Sequence, residues 1–250
     1  MSADERKARE REFFNERNRA ATASALQRYY AAHAAHRDYF AAVARDCRGK
    51  AVLEYGSGSG LACFEIAAQG GRVSAIDISD VAVENGRREA ARRGLDIDFR
   101  IGDAERMPFA DASFDRVCGS GILHHLRMPE ALAEVARVLK PAGRALFIEP
   151  MGHNPLVRLF RHLTPGLRSA DEQALRMRDL ALFETRFADV RVRYYDLLSL
   201  FAIPLLRLAP GRLLFRALER VDQGLFALLP PARPHAGFVV VEAAAARRPT

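Results

Sequence analysis

Cysteine is scarce in this chain of 250 residues, and the three that occur are far apart: Cys47, Cys63 and Cys118. Disulfide frameworks use even sets of cysteines and structural zinc sites use closely spaced pairs. The pattern therefore favours neither, and nothing else in the sequence indicates a metal site. Long apolar runs are missing too, since no stretch approaches the roughly 20 apolar residues of a membrane-spanning helix. The first residues, MSADERKARE, are charged where a signal peptide has an apolar centre, so we expect a cytoplasmic protein.

Lysine is almost absent from the chain. Of the 38 basic residues only Lys7, Lys50 and Lys140 are lysines, and the formal net charge is +7. Residues 151–250 contain 15 arginines, no lysine and nine acidic residues, so most of the positive excess lies there. Compositional bias of the genome and an anionic partner both account for this balance. Nucleic acid is a disfavoured partner, because the basic segment contains no recognisable nucleic-acid module.

Short apolar segments alternate with helical patterns through the middle of the chain. The strand candidates are AVLEY at 51–55, RVSAID at 72–77, IDFRI at 97–101, FDRVCG at 114–119 and RALFIEP at 144–150. Helical patterns over 61–69, 80–93 and 129–139 separate them, and residues 4–46 predict two or three leading helices. Strands that alternate with helices predict right-handed crossovers and a mostly parallel sheet covered on both faces, in a single α/β domain.

The last hundred residues contain two further strand candidates, at 190–198 and 237–242, around an unusually apolar segment, 197–229. Its second half is amphipathic. One predicted helix face carries Leu214, Leu218, Val221, Leu225 and Leu228, and another carries Arg212, Arg216 and Arg220. Two interpretations stay open: a helix packed on the sheet with a solvated basic side, or a lid over an apolar substrate that also makes peripheral membrane contact.

A glycine-rich turn follows the first predicted strand, in the stretch VLEYGSGSG at 52–60. Glycines there allow positive φ angles and let a ligand approach the main chain. The spacing is G-x-G-x-G, whereas a dinucleotide fingerprint is G-x-G-x-x-G and a P-loop ends in Gly-Lys-Ser/Thr. Glu54, two residues before the first glycine, suits a cationic ligand better than a pyrophosphate. No Tyr-x-x-x-Lys pair is present either, so a nicotinamide-dependent oxidoreductase is disfavoured.

Acidic residues follow the next two predicted strands. Asp77 ends the second strand, where a carboxylate can accept both hydroxyls of a ribose. Asp103 and Glu105 follow the third strand, in IGDAERMPF. Each acid alone has a simpler explanation as a helix cap or a solvated turn. With Glu54, they place acids at the carboxyl ends of three successive strands, which indicates a ligand site at that edge of the sheet.

These segments together resemble a known family. VLEYGSGSG, AIDIS, GDAERMPFADASFDRV, GILHHL and ALAEVARVLKPAGRALFIEP occur in the order and spacing of the type 11 branch of class I S-adenosylmethionine-dependent methyltransferases. The resemblance covers about residues 50–150. It implies a Rossmann-like seven-stranded sheet of order 3-2-1-4-5-7-6, with the last strand antiparallel. It also implies S-adenosyl-L-methionine as the cofactor.

The resemblance further implies which residues bind the cofactor and how the chain is organised. The cofactor residues expected from it and from the turn are Glu54, Gly56, Ser57, Gly58, Gly60, Asp77, Ile78, Asp103, Ala104, Glu105 and Gly119. Residues 1–48 are expected to form an N-terminal helical cap and residues 49–150 the cofactor-binding core. Residues 151–250 are expected to supply the acceptor-side strands and helical insertions, including one between strands six and seven.

The catalytic candidates are His124 and His125, because the loop after the fourth strand borders the transferred methyl group in this family. A histidine that caps the next helix is the competing interpretation. Tyr29 and Tyr30 are the candidates for substrate contact, although aromatic residues there also suit a core. We predict methyl transfer to a small or lipid-like acceptor, with the O-, N- or C-position open. The alternatives are a non-catalytic S-adenosylmethionine-binding protein and an RNA methyltransferase.

Overall fold

A computed structural model describes residues 3–19, 34–58, 60–169, 172–206 and 208–247 of the chain. Its centre is one seven-stranded sheet. The strands are β1 (Ala51–Tyr55), β2 (Arg72–Asp77), β3 (Ile97–Ile101), β4 (Phe114–Ser120), β5 (Leu139–Pro150), β6 (Phe187–Tyr195) and β7 (Phe238–Ala246). Their order is β3-β2-β1-β4-β5-β7-β6, with β7 antiparallel to both neighbours and the other pairs parallel. The predicted fold class is confirmed.

Helices cover both faces of this sheet. They are α1 (Ala3–Arg19), α2 (Ala34–Ala44), α3 (Leu61–Ala68), α4 (Asp80–Arg93), α5 (Met128–Val138), α6 (Pro155–Leu163), α7 (Met177–Arg186) and α8 (Ala209–Leu228). Neighbouring residues of β1 point to opposite sides: Val52 joins the core formed with α2, α3 and α4, and Leu53 joins the core formed with α5 and α7. A sheet buried on both faces explains the nearly continuous apolar runs of its central strands.

The helix α8 packs through a different face from the leucine face that the sequence predicts. Its buried residues include Phe215, Asp222 and Phe226, whereas Leu214 is 44% and Leu228 is 82% exposed. Asp222 turns inward because its carboxylate accepts hydrogen bonds from the backbone N–H groups of residues 197–199. The interpretation of a helix packed through its leucine face is therefore wrong for Leu214, Val221 and Leu228, and the exposure of the arginine side is confirmed.

Within the described part of the chain, none of the helices is both long and apolar enough to cross a membrane.

Candidate functional site

The glycine-rich turn joins β1 to α3 at the carboxyl edge of the sheet. Gly56 and Gly58 have φ angles of 65° and 52°, a region that residues with a Cβ adopt at a cost. A Cβ at Gly56 would lie 2.5 Å from the Ile122 side chain, whereas one at Gly58 would meet no protein atom within 4 Å. Gly56 is therefore required for packing against the loop after β4, and Gly58 leaves open space above the turn.

Asp77 connects the end of β2 to that turn. One carboxylate oxygen accepts the N–H of Gly58 at 2.7 Å, and the other accepts the N–H of Ser79 at 2.8 Å. Burial raises the pKa of the carboxyl, and the two backbone donors oppose that rise. The side chain thus orders the turn while its carboxylate stays at the wall of the cavity described below.

Glu54 lies beneath the same turn and is 5% exposed. Its carboxylate oxygens accept the N–H groups of Ala62 and Cys63, at 3.2 and 2.9 Å, in the first turn of α3. Acids are stabilised at a helix N-terminus because its N–H groups have no intrahelical partner. Burial nevertheless dominates and raises the pKa of Glu54 to about 7. Glu54 therefore changes charge near neutral pH at the wall of a cavity.

The acids after β3 contact the first helix of the chain. Lys7 of α1 donates to Asp103 at 2.6 Å, and Arg6 donates to Glu105 at 2.5 Å. Asp103 also accepts the N–H of Glu105, which fixes the turn. Tyr55 of β1 donates its buried hydroxyl to the carbonyl of Ala104. Asp103, Ala104 and Glu105, all predicted cofactor residues, are thus held between the sheet and α1.

His124 and His125 form a short 3-10 turn, Leu123–His125, after β4. Glu149, at the end of β5 and 0% exposed, holds this turn. It accepts the N–H groups of Ile122 and Leu123, at 2.9 and 2.8 Å, and its other oxygen is 2.6 Å from Nδ1 of His124. His124 is therefore oriented by a buried carboxylate, as catalytic or metal-binding histidines commonly are.

A cavity of about 1340 Å³ joins these groups. The predicted site residues in its wall are Glu54, Gly56, Ser57, Gly58, Asp77, Ile78, Asp103, Ala104, His124 and His125. Gly60, Glu105 and Gly119 are not part of that wall. Gly119 lies within β4, where a Cβ would be 3.0 Å from the carbonyl oxygen of Tyr55. The lack of a side chain at this position therefore allows the strands to pack closely. Tyr29 and Tyr30 lie outside the described residues.

The cavity wall also contains charged residues outside the predicted set. They are Arg6, Lys7, Glu10, Arg17, Glu65, Arg161, Arg168 and Glu172. Glu149 was missed as well, although it follows the same rule as the other acids, a carboxylate at the end of a parallel strand. Glu10 and Glu172 come from remote segments and have no local signal. Only the fold brings them to the histidines.

Part of the chain matches a family model. Residues 53–147 match the family described as "Methyltransferase domain". The ubiquinone/menaquinone biosynthesis C-methyltransferase UbiE of Paracoccus denitrificans is 39% identical over 106 residues, which are 40% of this chain and 42% of that protein. The chain spans less than half the length of the curated relatives it matches.

Two solved structures resemble a larger part of the chain. Phosphoethanolamine N-methyltransferase 2 of Haemonchus contortus has a TM-score of 0.61 and 16% identity, with 84% of this chain and 52% of that chain covered. Geranyl diphosphate C-methyltransferase of Streptomyces coelicolor has a TM-score of 0.58 and 15% identity, with 84% and 79% covered. Residues 53–147 are therefore similar to a methyltransferase domain, and the chain shares the fold of these two solved methyltransferases.

Proposed function

We propose that this protein transfers a methyl group from S-adenosylmethionine to a small or lipid-like acceptor. The observation that carries the proposal is the cavity itself. Its wall combines the glycine turn and acids of a cofactor site with two histidines oriented from beneath. The match over residues 53–147 supports the same conclusion. Residues 49–150 would hold the cofactor, while residues 1–48 and 151–250 would close the cavity and receive the acceptor.

The residues of the turn fit this cofactor. Gly58 has free space on its outer side, and Asp77 presents a carboxylate next to it that suits ribose hydroxyls. Glu54, when ionised, places a negative charge where a cationic amino acid group would bind. S-adenosylmethionine, once bound, supplies a methyl group that positively charged sulfur has already activated. The protein then has to align the acceptor and exclude water.

The part of the cavity wall away from the glycine turn is apolar with charged residues of both signs. Phe40, Phe160 and Phe201 contribute rings, and Arg161 is paired there with Glu172. Such a wall suits a hydrophobic acceptor with a polar end. Because the relatives include enzymes named for quinone biosynthesis, a quinone-like acceptor is one candidate. His124 and His125, which lie in the wall of the same cavity, would act on the polar end.

We further propose that the mouth of the cavity rests on a membrane surface to collect a lipid-like acceptor. The helix α6 has no buried residue, and Phe160 at the cavity wall is 56% exposed. Phe201, also in the cavity wall, is 64% exposed. The arginine side of α8, which does not line the cavity, is exposed as well. Apolar and cationic side chains exposed together are typical of interfacial helices.

Cofactor selectivity provides the first test. Isothermal titration calorimetry should show binding of S-adenosylmethionine and S-adenosylhomocysteine, and no heat with NAD. The reason is the G-x-G-x-G spacing, which lacks the pyrophosphate position of a dinucleotide turn. Tight NAD binding with no response to S-adenosylhomocysteine would overturn the proposed function.

Membrane association provides a second test, independent of the first. Co-sedimentation with anionic vesicles should exceed that with neutral vesicles, since each arginine near an anionic surface contributes about 1 kcal/mol. Added salt should weaken it. The triple variant Arg212→Glu/Arg216→Glu/Arg220→Glu should lose the anionic preference. Equal and negligible binding of both proteins to both vesicles would contradict membrane docking and leave the methyltransferase proposal intact.

A further inference from the structure

His124 and His125 both direct their Nε2 atoms toward the carboxylate of Glu172. Nε2 of His124 is 4.0 Å from one oxygen of Glu172, and Nε2 of His125 is 3.9 Å from the other. Glu172 reaches them because the N–H of Gln173 donates to the carbonyl of His124. The three side chains are 7 or 8% exposed, so the cluster is nearly enclosed at the cavity wall.

The opposite nitrogens of both rings contact buried acids. Nδ1 of His124 is 2.6 Å from Glu149, and Nδ1 of His125 is 3.3 Å from Glu10. Glu10 is itself held by the hydroxyl of Ser169 at 2.5 Å. These carboxylates lie on the Nδ1 side of each ring, so both Nε2 atoms are turned toward Glu172. The same arrangement supports most metal-binding histidines.

The spacing of the three inner groups suits one ion. Ligand atoms of His124, His125 and Glu172 all lie within 4.8 Å of one another. Two ligands bonded to one ion at about 2.1 Å are about 3.4 Å apart in tetrahedral geometry. The distances of 4.0 and 3.9 Å from the imidazoles to the two oxygens of Glu172 are slightly longer, so small side-chain rotations would bring all three groups onto one ion.

The charges around the cluster favour a cation. The three carboxylates that contact the imidazoles are Glu10, Glu149 and Glu172, and Arg161 pairs with Glu172 at 2.6 Å. Arg6, which also lies near Glu10, is paired with Glu105. Three carboxylates face one guanidinium in a nearly enclosed space, an arrangement that a bound cation stabilises.

We propose that His124, His125 and Glu172 bind one divalent transition-metal ion. Two imidazoles and one carboxylate favour zinc, cobalt or manganese over magnesium, which prefers oxygen ligands. Three protein ligands leave an open coordination position, as in catalytic rather than structural sites. The three ligands line the cavity, so an acceptor could occupy the open position. The role of the ion therefore rests on the proposed function, and the ion would favour acceptors with a metal-binding oxygen.

The ion would prepare such an acceptor for methylation. A hydroxyl of the acceptor bound to the ion would have a lowered pKa and would lose its proton to water. Its oxygen would then bond to the methyl carbon as the carbon–sulfur bond breaks, which would leave that electron pair on sulfur and give S-adenosylhomocysteine.

Metal binding is measured directly on the full chain after dialysis against a chelator. Titration with Co²⁺ should give one equivalent of binding and a visible absorption spectrum of nitrogen and oxygen ligation. Zn²⁺ should displace it. The spectrum tests the site in the unmodified protein, so the result does not depend on any variant folding correctly. A flat titration, or a spectrum typical of the fully hydrated ion, would overturn the inference.

Variants identify the ligands. His124→Gln, His125→Gln and Glu172→Gln should each weaken Co²⁺ binding more than tenfold, and Glu10→Gln about 10- to 100-fold through His125. The matched control is His162→Gln, an exposed histidine of α6 that should leave affinity unchanged. Circular dichroism checks that each variant is folded. Unchanged affinity in all three folded ligand variants would refute the site.

Calorimetry with S-adenosylhomocysteine on the same samples separates this inference from the proposed function. Cofactor binding without Co²⁺ binding would overturn the metal site alone. Co²⁺ binding without cofactor binding would support the metal site and overturn the proposed methyl transfer.

Discussion

Replacing Asp77 by alanine is expected to weaken binding of S-adenosylhomocysteine by at least about 100-fold, measured by calorimetry. The carboxylate is proposed to accept two ribose hydroxyls, and hydrogen bonds to a charged group contribute roughly 1.5 to 3 kcal/mol each. Tenfold in affinity corresponds to about 1.4 kcal/mol. The loss has a second source, since Asp77 also accepts the N–H groups of Gly58 and Ser79 and so orders the turn.

Asp98→Ala is the matched control for this variant. Asp98 lies in the neighbouring strand β3, and its side chain is 46% exposed and paired with Arg100 on the surface. Its removal should leave cofactor affinity within a factor of two or so, because isolated surface ion pairs contribute little. A folded Asp77→Ala protein with the affinity of the unmodified chain would show that Asp77 only shapes the turn.

The central strands could be predicted from the sequence almost residue by residue. The predicted strands 51–55, 72–77 and 97–101 coincide with β1, β2 and β3. Buried parallel strands need apolar residues on both faces and end at turns that contain glycine or acids, so both their content and their limits are visible. The family resemblance also covers this part of the chain.

The later strands are less well predicted, for physical reasons. The strand β6 was expected over 190–198 and extends over Phe187–Tyr195 instead. It is one of the two edge strands, with exposed and partly buried positions alternating along it, so its ends carry little apolar signal. The other edge strand, β3, is followed directly by Gly102 and Asp103, which mark its end in the sequence. The predicted final residues form the turn capped by Asp222, a contact that depends on α8.

The residues of the candidate site also differ in how well the sequence predicts them. Asp77 and Asp103 could be predicted because Asp77 is the last residue of β2 and Asp103 lies two residues after β3. The roles of Glu10 and Glu172 could not, since α1 and the segment before α7 reach the histidines only through tertiary packing. Local patterns therefore indicate the cofactor side of the cavity, and the acceptor side requires the three-dimensional arrangement.

Cofactor affinity is expected to depend on pH through Glu54. Burial raises the pKa of this carboxyl to about 7 in the protein without ligand, so it is largely neutral below that value. If the ionised form binds the cationic amino acid group of the cofactor, binding must first remove the proton. Affinity should then fall about tenfold per pH unit below 7 and level off above it. Calorimetry at pH 5.5 and 7.5 should differ by about 20- to 30-fold.

The variant Glu54→Gln isolates this effect from every other titrating group. At pH 7.5 the variant should bind the cofactor more weakly than the unmodified protein does. At pH 5.5 the two proteins should bind with nearly the same affinity, because residue 54 is then neutral in both. An equally steep pH dependence in the folded variant would assign the titration to another residue, with Asp77 the next to test, since burial raises the pKa of its carboxyl as well.

Stability without ligand should show the opposite trend with pH. The folded-state pKa of Glu54 exceeds the ordinary value of 4.5, so the folded protein holds the proton more tightly than the unfolded chain. This contribution to stability is complete below about pH 4.5 and is lost as the pH rises through 7, about 3 kcal/mol in all. Urea denaturation across this range should show the loss in the unmodified protein and not in Glu54→Gln. At neutral pH the ionised carboxylate of Glu54 would thus lower the free energy of unfolding of the ligand-free protein. The cofactor requires the same ionised carboxylate, so its binding should restore the stability that ionisation removes.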